Sequence, residues 1–508
     1  MKIYLDGTNL SIESAIKIVS GNINVALSAE SLRKVKASRR HVDKWIADNE
    51  VIYGVTTGFG EFKDVKISKA DVKKLQKNLI RSHSAGVGTP LSPRLARLML
   101  LLRINSLAKG YSGVRPELLE YLVKIFNLGI IPYIPSQGSV GSSGDLAPLS
   151  HLAAFITGDG YGYENNRLQP SVKILKKFNL MPFELEAKEG LALINGTQMM
   201  TACAVDTVYR AEKLSKLADI AAALSVEALR GSDKPFSARI HMLRPHSGQI
   251  KTAENLRKLL KNSEIRKSHI NCDRVQDAYS LRCIPQVHGA VKDTIQFVKG
   301  IIETEINSAT DNPLIFPETG EHIEGGNFHG EPVALAMDFL KIAVSELGSI
   351  SERRTARLVD GNLSGLPRFL TDKGGLNSGL MIAQYTAASL VSENKILCHP
   401  ASVDSIPTSA NQEDHNSMGS IAARNCCSVL ENTEKIIAIE FLCACQGIDF
   451  LKPLKCGRGT NIAYTAIRSS IRHITHDIVI SRYINSVHKL ITSANFLPEI
   501  ENSIGSLN

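Results

Sequence analysis

Residues 138–145 read Gly138-Ser139-Val140-Gly141-Ser142-Ser143-Gly144-Asp145: three glycines at every third position, small residues between them, and an acid at the end. Gly/Ser runs are commonly flexible tethers, and Gly-rich loops also cradle phosphates. The flanks argue against a tether. Ile130-Ile131-Pro132-Tyr133-Ile134-Pro135 is apolar and stiff, and Leu146–Ile156 reads as a buried helix opening at a proline. A phosphate loop would follow its last glycine with a lysine, and here an aspartate stands instead. A third reading is chemical. Gly144 has no side chain, so its backbone nitrogen can approach the Ser142 carbonyl carbon in a tight bend. Closure would form a five-membered ring. Loss of water from that carbonyl and from the Ser143 hydroxyl would leave an exocyclic methylene, an electrophile made from the backbone.

The chain has 508 residues, enough for a large core and more than one structural region. Apolar residues make up 43% and charged residues 21%, the balance of a water-soluble enzyme, while scarce aromatics and abundant Ala, Leu and Ile favour helix. The net charge of +9 is spread in short clusters such as Lys34–Arg40, so it reads as solvated helix faces and not as a nucleic-acid footprint. No apolar run reaches membrane-spanning length; Ile436–Gln446 is short and contains Glu440. The first seven residues read as a strand and turn, not a signal peptide. Nine cysteines without a Cys-x-x-Cys pair fit buried thiols in a reducing cytoplasm, and neither a zinc site nor any other metal site is expected.

Along the chain, Ser11 reads as the cap of a helix through Ser20, and a second helix ends at Lys44–Asn49. Val51–Gly60 is a rigid irregular loop in which Tyr53 is either a half-buried aromatic or a phenol placed as a general base, a role that would need a lowered pKa. Lys74–Ile80 reads helical and runs into His83; Arg94–Ala108 is a buried helix behind Ser92-Pro93. Gly158–Gln169 reads as a hairpin. Glu189–Gln198 reads as a strand-to-helix turn capped by Asn195, and Met199–Arg230 as a helix apolar nearly all round. Residues 232–275 form a more polar, peripheral helical stretch. Arg282 suits either an internal salt bridge or a two-pronged grip on a carboxylate. Pro332–Val359, Ile382–Ile396 and Ser420–Asp449 read as long helices, and 452–508 as further helix and a polar tail.

Several segments, in order from Tyr53 to Met418, resemble the histidine/phenylalanine/tyrosine ammonia-lyase family. The octet is similar to its self-processing loop, which carries 4-methylideneimidazol-5-one (MIO). The family usually has Ala-Ser-Gly at the ring positions; here they are Ser142-Ser143-Gly144, and the first gives only its backbone, so closure is expected to survive. The resemblance implies no diffusible cofactor. It makes Tyr53 the base, places Asn195 near the ring carbonyl, has Gln276, Tyr279 and Arg282 of Gln276–Arg282 in the site with Arg282 on the substrate carboxylate, and sets Phe328 of Gly325–Gly330 against the substrate ring. His83 and Asn411-Gln412-Glu413-Asp414 resemble the histidine enzymes, and Glu413 could pair with an imidazole N–H. Ile284 resembles some tyrosine enzymes, so tyrosine, phenylalanine and aminomutase chemistry remain open, as does a non-catalytic amino-acid-binding homologue with an uncyclised loop.

The implied fold is mainly α. A small mixed N-terminal region, residues 1–110, carries the Tyr53 and His83 loops; residues 111–508 hold the ring-forming loop and a long central helical bundle, as in ammonia-lyases and fumarase/aspartase-like proteins. The partner is a small amino acid, L-histidine giving trans-urocanate in the first reading, with no nucleic acid or membrane. A homotetramer with shared active sites is implied, and Met199–Arg230 and Ser420–Asp449 read as helices that one protomer would leave part-uncovered.

Overall fold

A computed structural model describes residues 2–58, 60, 64–270 and 275–508. Phe59 of the Tyr53 loop and residues 271–274 of the polar stretch lie outside the described residues. The described chain is mostly helical with a few short strands, as expected. It forms two compact units. The first holds Met1–Tyr209, Val298–Asp338 and Pro400–Arg424; the second holds Arg210–Phe297, Phe339–His399 and Asn425–Asn508.

In the first unit, β1 (Lys2–Leu5) pairs in parallel with β2 (Asn24–Leu27) across α1 (Ile12–Ser20), whose Ser11 cap accepts from Ser14 N in a reciprocal capping box. α2 (Ala29–Asp48) follows, ending on left-handed Asn49. α3 (Val72–His83) delivers His83 at its last turn. α4 (Pro93–Ala108) starts on Ser92-Pro93 and buries Leu98–Leu102 almost completely, each contributing roughly 1.5–3 kcal/mol by leaving water. α5 (Leu146–Thr157) leads from the Gly-rich loop into the antiparallel hairpin β3 (Tyr161–Glu164) and β4 (Arg167–Pro170).

The Leu191–Ile194 run is not a strand. It lies in α6 (Glu189–Ile194), a short and fully buried helix packed on α3 and α5. Asn195 does not cap the following helix, α7 (Gln198–Ala228). Its first amides, Met199 N and Met200 N, both donate to Asp145 Oδ2 at 2.9 Å.

The long helices α8 (Ile284–Glu305), α9 (Glu331–Val359), α10 (Met381–Leu397) and α11 (Gly419–Asp449) complete the set. In the second unit the guanidinium of Arg354 on α9 grips the Glu440 carboxylate of α11 through two bonds, both side chains being fully buried, and Ser225 donates to the same carboxylate. The helices expected to be part-uncovered, α7 and α11, are largely buried within this single chain. Exposed apolar side chains sit instead on α8 (Phe297), α9 (Phe339, Ile342) and α10 (Ile382, Tyr385). A helix apolar all round is satisfied inside its own chain; large apolar groups reach water where polar residues alternate with them. Among the described residues no helix is long and apolar enough to cross a membrane.

Candidate active site

The Gly-rich loop is held from within and from outside. Inside it, Ser139 Oγ donates to the Gly144 carbonyl at 3.1 Å and accepts from Gly141 N at 3.2 Å. From outside, Met418 N donates to Val140 O at 2.8 Å, Ser417 Oγ to Gly141 O at 3.1 Å and Ser420 Oγ to Ser139 O at 2.7 Å. Gly144 has φ +75°, and a Cβ there would lie 2.1 Å from the Gly196 carbonyl oxygen, so no other residue fits. Between Gly141 and Asp145 only Ser143 is not buried. The next residue, Asp145, is fully buried, and burial pushes its carboxyl up to about 7 even though two helix amides point at it. A bend closed around a glycine, with its one accessible serine in the middle, fits the backbone ring that these residues would form.

Two donors converge on the Ser143 carbonyl. Gly196 N lies 3.2 Å away. The Asn195 amide can be turned two ways. In one, Nδ2 donates to Asn312 O at 3.3 Å and reaches Asp311 Oδ1 at 3.5 Å. In the other, Nδ2 donates to Ser143 O at 3.0 Å while Oδ1 accepts from Asn312 N at 3.1 Å. The second satisfies both ends with shorter bonds and is the favoured one.

Ser143 opens into a cavity of about 760 Å³ that also receives Tyr53, His83, Ser142, Asn195, Phe328 and Glu413. Ser143 Oγ lies 3.4 Å from Glu413 Oε1, and Thr408 Oγ1 donates to Glu413 Oε2 at 2.7 Å. His83 Nδ1 lies 3.0 Å from the Leu79 carbonyl, which requires a proton on Nδ1 and leaves Nε2 as an acceptor. Burial lowers the His83 pKa, against the pull of that carbonyl and of Glu413, which favours the neutral ring. Tyr53 is half-buried, with Gly60 N donating to its hydroxyl at 3.4 Å. Its pKa is raised, first by burial and then by the charges of Glu413 and Asp311. A base here needs the opposite shift, and the groups described around this phenol do not supply it.

The remaining expected site residues belong to the second unit. Gln276 is exposed and Tyr279 is 70% exposed. The Arg282 guanidinium stacks over the Tyr279 ring at 4.6 Å. Among the described residues Arg282 makes no ion pair, and its buried Nε has no partner, the state of a cation available to a carboxylate ligand. Ile284 is fully buried and offers no surface to a substrate.

Sequence reasoning singled out no role for Asn312, His329, Asp414 or His415, which also line the cavity. His329 accepts from Glu331 N at Nδ1 (3.3 Å), so its Nε2 is the donor to His415 O (3.1 Å), and the two imidazoles stack 5.9 Å apart. His329 lies in the Gly325–Gly330 segment and Asp414 at the end of Asn411–Asp414, but a polar loop residue carries no periodic signal to mark it.

The aromatic amino acid lyase family profile matches residues 10–469, and the chain belongs to that family. Within it, the chain is 51% identical to the histidine ammonia-lyase of Gloeobacter violaceus, over all of this chain and 99% of that protein. It is also 51% identical to the human histidine ammonia-lyase, over 96% of this chain and 75% of that one. Among solved structures, the Trypanosoma cruzi histidine ammonia-lyase superposes with a TM-score of 0.92 at 46% identity, covering 99% of this chain and 96% of that one. The tyrosine aminomutase of Streptomyces globisporus gives 0.94 at 40% identity over the whole of both chains.

Proposed function

We propose that this chain is a carbon–nitrogen lyase that removes ammonia from L-histidine without oxidation and releases trans-urocanate. The observation that carries the reading is the meeting of Glu413 and the Nε2 face of His83 in one cavity with Ser143. Two acceptors suit a ring that carries N–H groups, whereas a phenyl ring offers none. The MIO ring formed from Ser142-Ser143-Gly144 would supply an electrophilic methylene conjugated to the Ser143 carbonyl.

The chain's own residues do the rest. Asn195 Nδ2 and Gly196 N donate to the Ser143 carbonyl oxygen, where negative charge would collect, in the manner of an oxyanion hole. Tyr53 takes the β-proton as a phenolate, a form that burial first and the charges of Glu413 and Asp311 next disfavour. Arg282 holds the substrate carboxylate and so orients it, with Gln276 and Tyr279 adding hydrogen bonds and Phe328 walling the ring. Assembly as a homotetramer with sites shared between subunits is supported by the apolar side chains exposed on α8, α9 and α10. Cytoplasmic residence is supported by the cysteine usage.

The test is ultraviolet product formation from L-histidine, L-tyrosine and L-phenylalanine side by side, with the mass of the loop peptide. Urocanate alone, with a peptide short by two waters, is the expected result. Coumarate or cinnamate would keep the chemistry and overturn the specificity. No product, with the waters still present, would leave an amino-acid-binding homologue. An aminomutase would return a β-amino acid, and the 40% identity with a tyrosine aminomutase makes product identity part of the test.

A further inference from the structure

A buried ion pair stands next to the residues that hold the Ser143 carbonyl. Lys188 Nζ donates to Asp311 Oδ2 at 2.7 Å, with the lysine side chain fully enclosed and the aspartate 2% exposed. Lys188 is held at φ +72°, a left-handed conformation that a lysine adopts only where its surroundings impose it. The other Asp311 oxygen accepts from Asn312 N at 2.7 Å and is the atom that Asn195 Nδ2 reaches at 3.5 Å in the unfavoured orientation.

Turning the Asn195 amide exchanges its nitrogen and oxygen. In the favoured orientation an oxygen therefore faces the Asp311 carboxylate where an N–H would otherwise sit. A bare buried carboxylate would reverse that choice, because a charged acceptor attracts the same donor more strongly than a neutral carbonyl does. Arg103 is also fully buried, and burial lowers its pKa to about 10 against the opposing pull of Asp311, yet its Nη1 donates to Gln198 Oε1 at 2.8 Å. Lys188 is thus the cation placed directly on the carboxylate.

We propose that Lys188 is a positioning residue for the Ser143 carbonyl: by neutralising Asp311, it keeps the Asn195 amide turned so that Nδ2 donates to that carbonyl and not to the carboxylate. The use of that hydrogen bond in turnover rests on the lyase reading above; the direction of the amide does not.

The test compares wild type, Lys188→Met and Lys188→Met/Asp311→Asn as full-length protein. Neutron diffraction from deuterium-exchanged crystals locates the Asn195 amide deuterons. In Lys188→Met they are expected on Asp311, with kcat for L-histidine reduced roughly 10–100-fold and KM changed less than about twofold. The double variant, with no buried charge left unpaired, is expected to return the deuterons to Ser143 and recover most of kcat. Deuterons that stay on Ser143 in Lys188→Met, or a double variant no better than the single one, would overturn the proposal. If Lys188→Met fails to fold, the double variant decides: Asn195 deuterons directed at the side chain of position 311 would overturn it, and deuterons on Ser143 with near-normal kcat would support it. A wild type inert on all three amino acids, whose amide nevertheless turns in Lys188→Met, would sink the lyase reading and leave this inference standing.

Discussion

Glu413 is one carboxylate with two neighbours of different purpose. Its Oε2 is tied down by Thr408 Oγ1, while Oε1 faces Ser143 Oγ at a loose 3.4 Å. One oxygen fixes the side chain and the other remains able to meet a ligand. Glu413→Gln keeps the shape and removes the charge. Turnover of L-histidine should then fall roughly 10–100-fold in kcat/KM, the value of a hydrogen bond to a charged group, while competitive inhibition by L-phenylalanine should weaken far less. An equal loss for both amino acids would remove Glu413 from ring recognition.

The same charge acts on Tyr53. A phenol must be ionised to accept a proton, and burial, with the charges of Glu413 and Asp311, holds the Tyr53 hydroxyl above the ordinary phenol value of about 10. The rate should therefore climb with pH well into the alkaline range. Glu413 is one of the raising charges, so Glu413→Gln should move the ascending limb to lower pH even as it lowers the plateau. A pH profile of kcat/KM for both proteins checks the sign; a limb that moves upward would remove Tyr53 as its source.

Among the elements, the head of α7 joins sequence to site. Asp145 ends the Gly-rich loop, and its carboxylate takes the amides of Met199, 54 residues on, and Met200, both in the first turn of α7. Asp145→Ala leaves two buried N–H groups without an acceptor and should cost about 2–3 kcal/mol, read as a lowered Tm. Asp145→Asn keeps an acceptor oxygen and should cost less. Its effect should also depend on pH. The folded carboxyl titrates at about 7 against an ordinary 3.8, so the native state holds the proton more tightly. That contribution to stability is full below about pH 4 and is lost by about pH 7, so the Asn variant should gain on wild type as pH rises between them. A gap that widens against the Asn variant would contradict the buried, proton-holding state of Asp145.

α7 itself is readable because an Ala- and Leu-rich stretch of 31 residues without Gly or Pro is far too long for a strand. α6 is not, since an all-apolar run of a few residues has no period and suits a buried strand or a buried helix equally. The cap was missed for a different reason: Asn195 is adjacent in sequence and has cap chemistry, but Asp145 arrives from a distant loop. The site divides the same way. Tyr53, His83, Ser143, Asn195 and Glu413 each sit in a short motif that could be read locally, and the fold brings them to one cavity. Lys188 and Asp311 stand 123 residues apart and become a pair only in the folded chain.

For the whole molecule, the expected site residues fall into two groups. Tyr53, His83, Asn195 and Glu413 belong to one compact unit, and Gln276, Tyr279 and Arg282 to the other. Tyr279 leaves most of its ring in water, and Arg282 Nε is buried without a partner among the described residues, which is costly unless something completes the site. The second unit also exposes Phe297 and Phe339, whose rings lie 6.3 Å apart beside a groove of about 730 Å³. If copies of the chain pack on that face and complete one another's sites, Tyr53→Phe and Arg282→Ala should each be inactive alone and active together. In a random equimolar mixture each of the two contributors to a site is the intact one half of the time, so about a quarter of wild-type activity should return. The proteins must be co-refolded or co-expressed so that subunits exchange, and light scattering should report four chains per particle. A mixture as inactive as its parents would place all of these residues in one chain's own site, and Phe339→Glu would then break assembly without lowering activity.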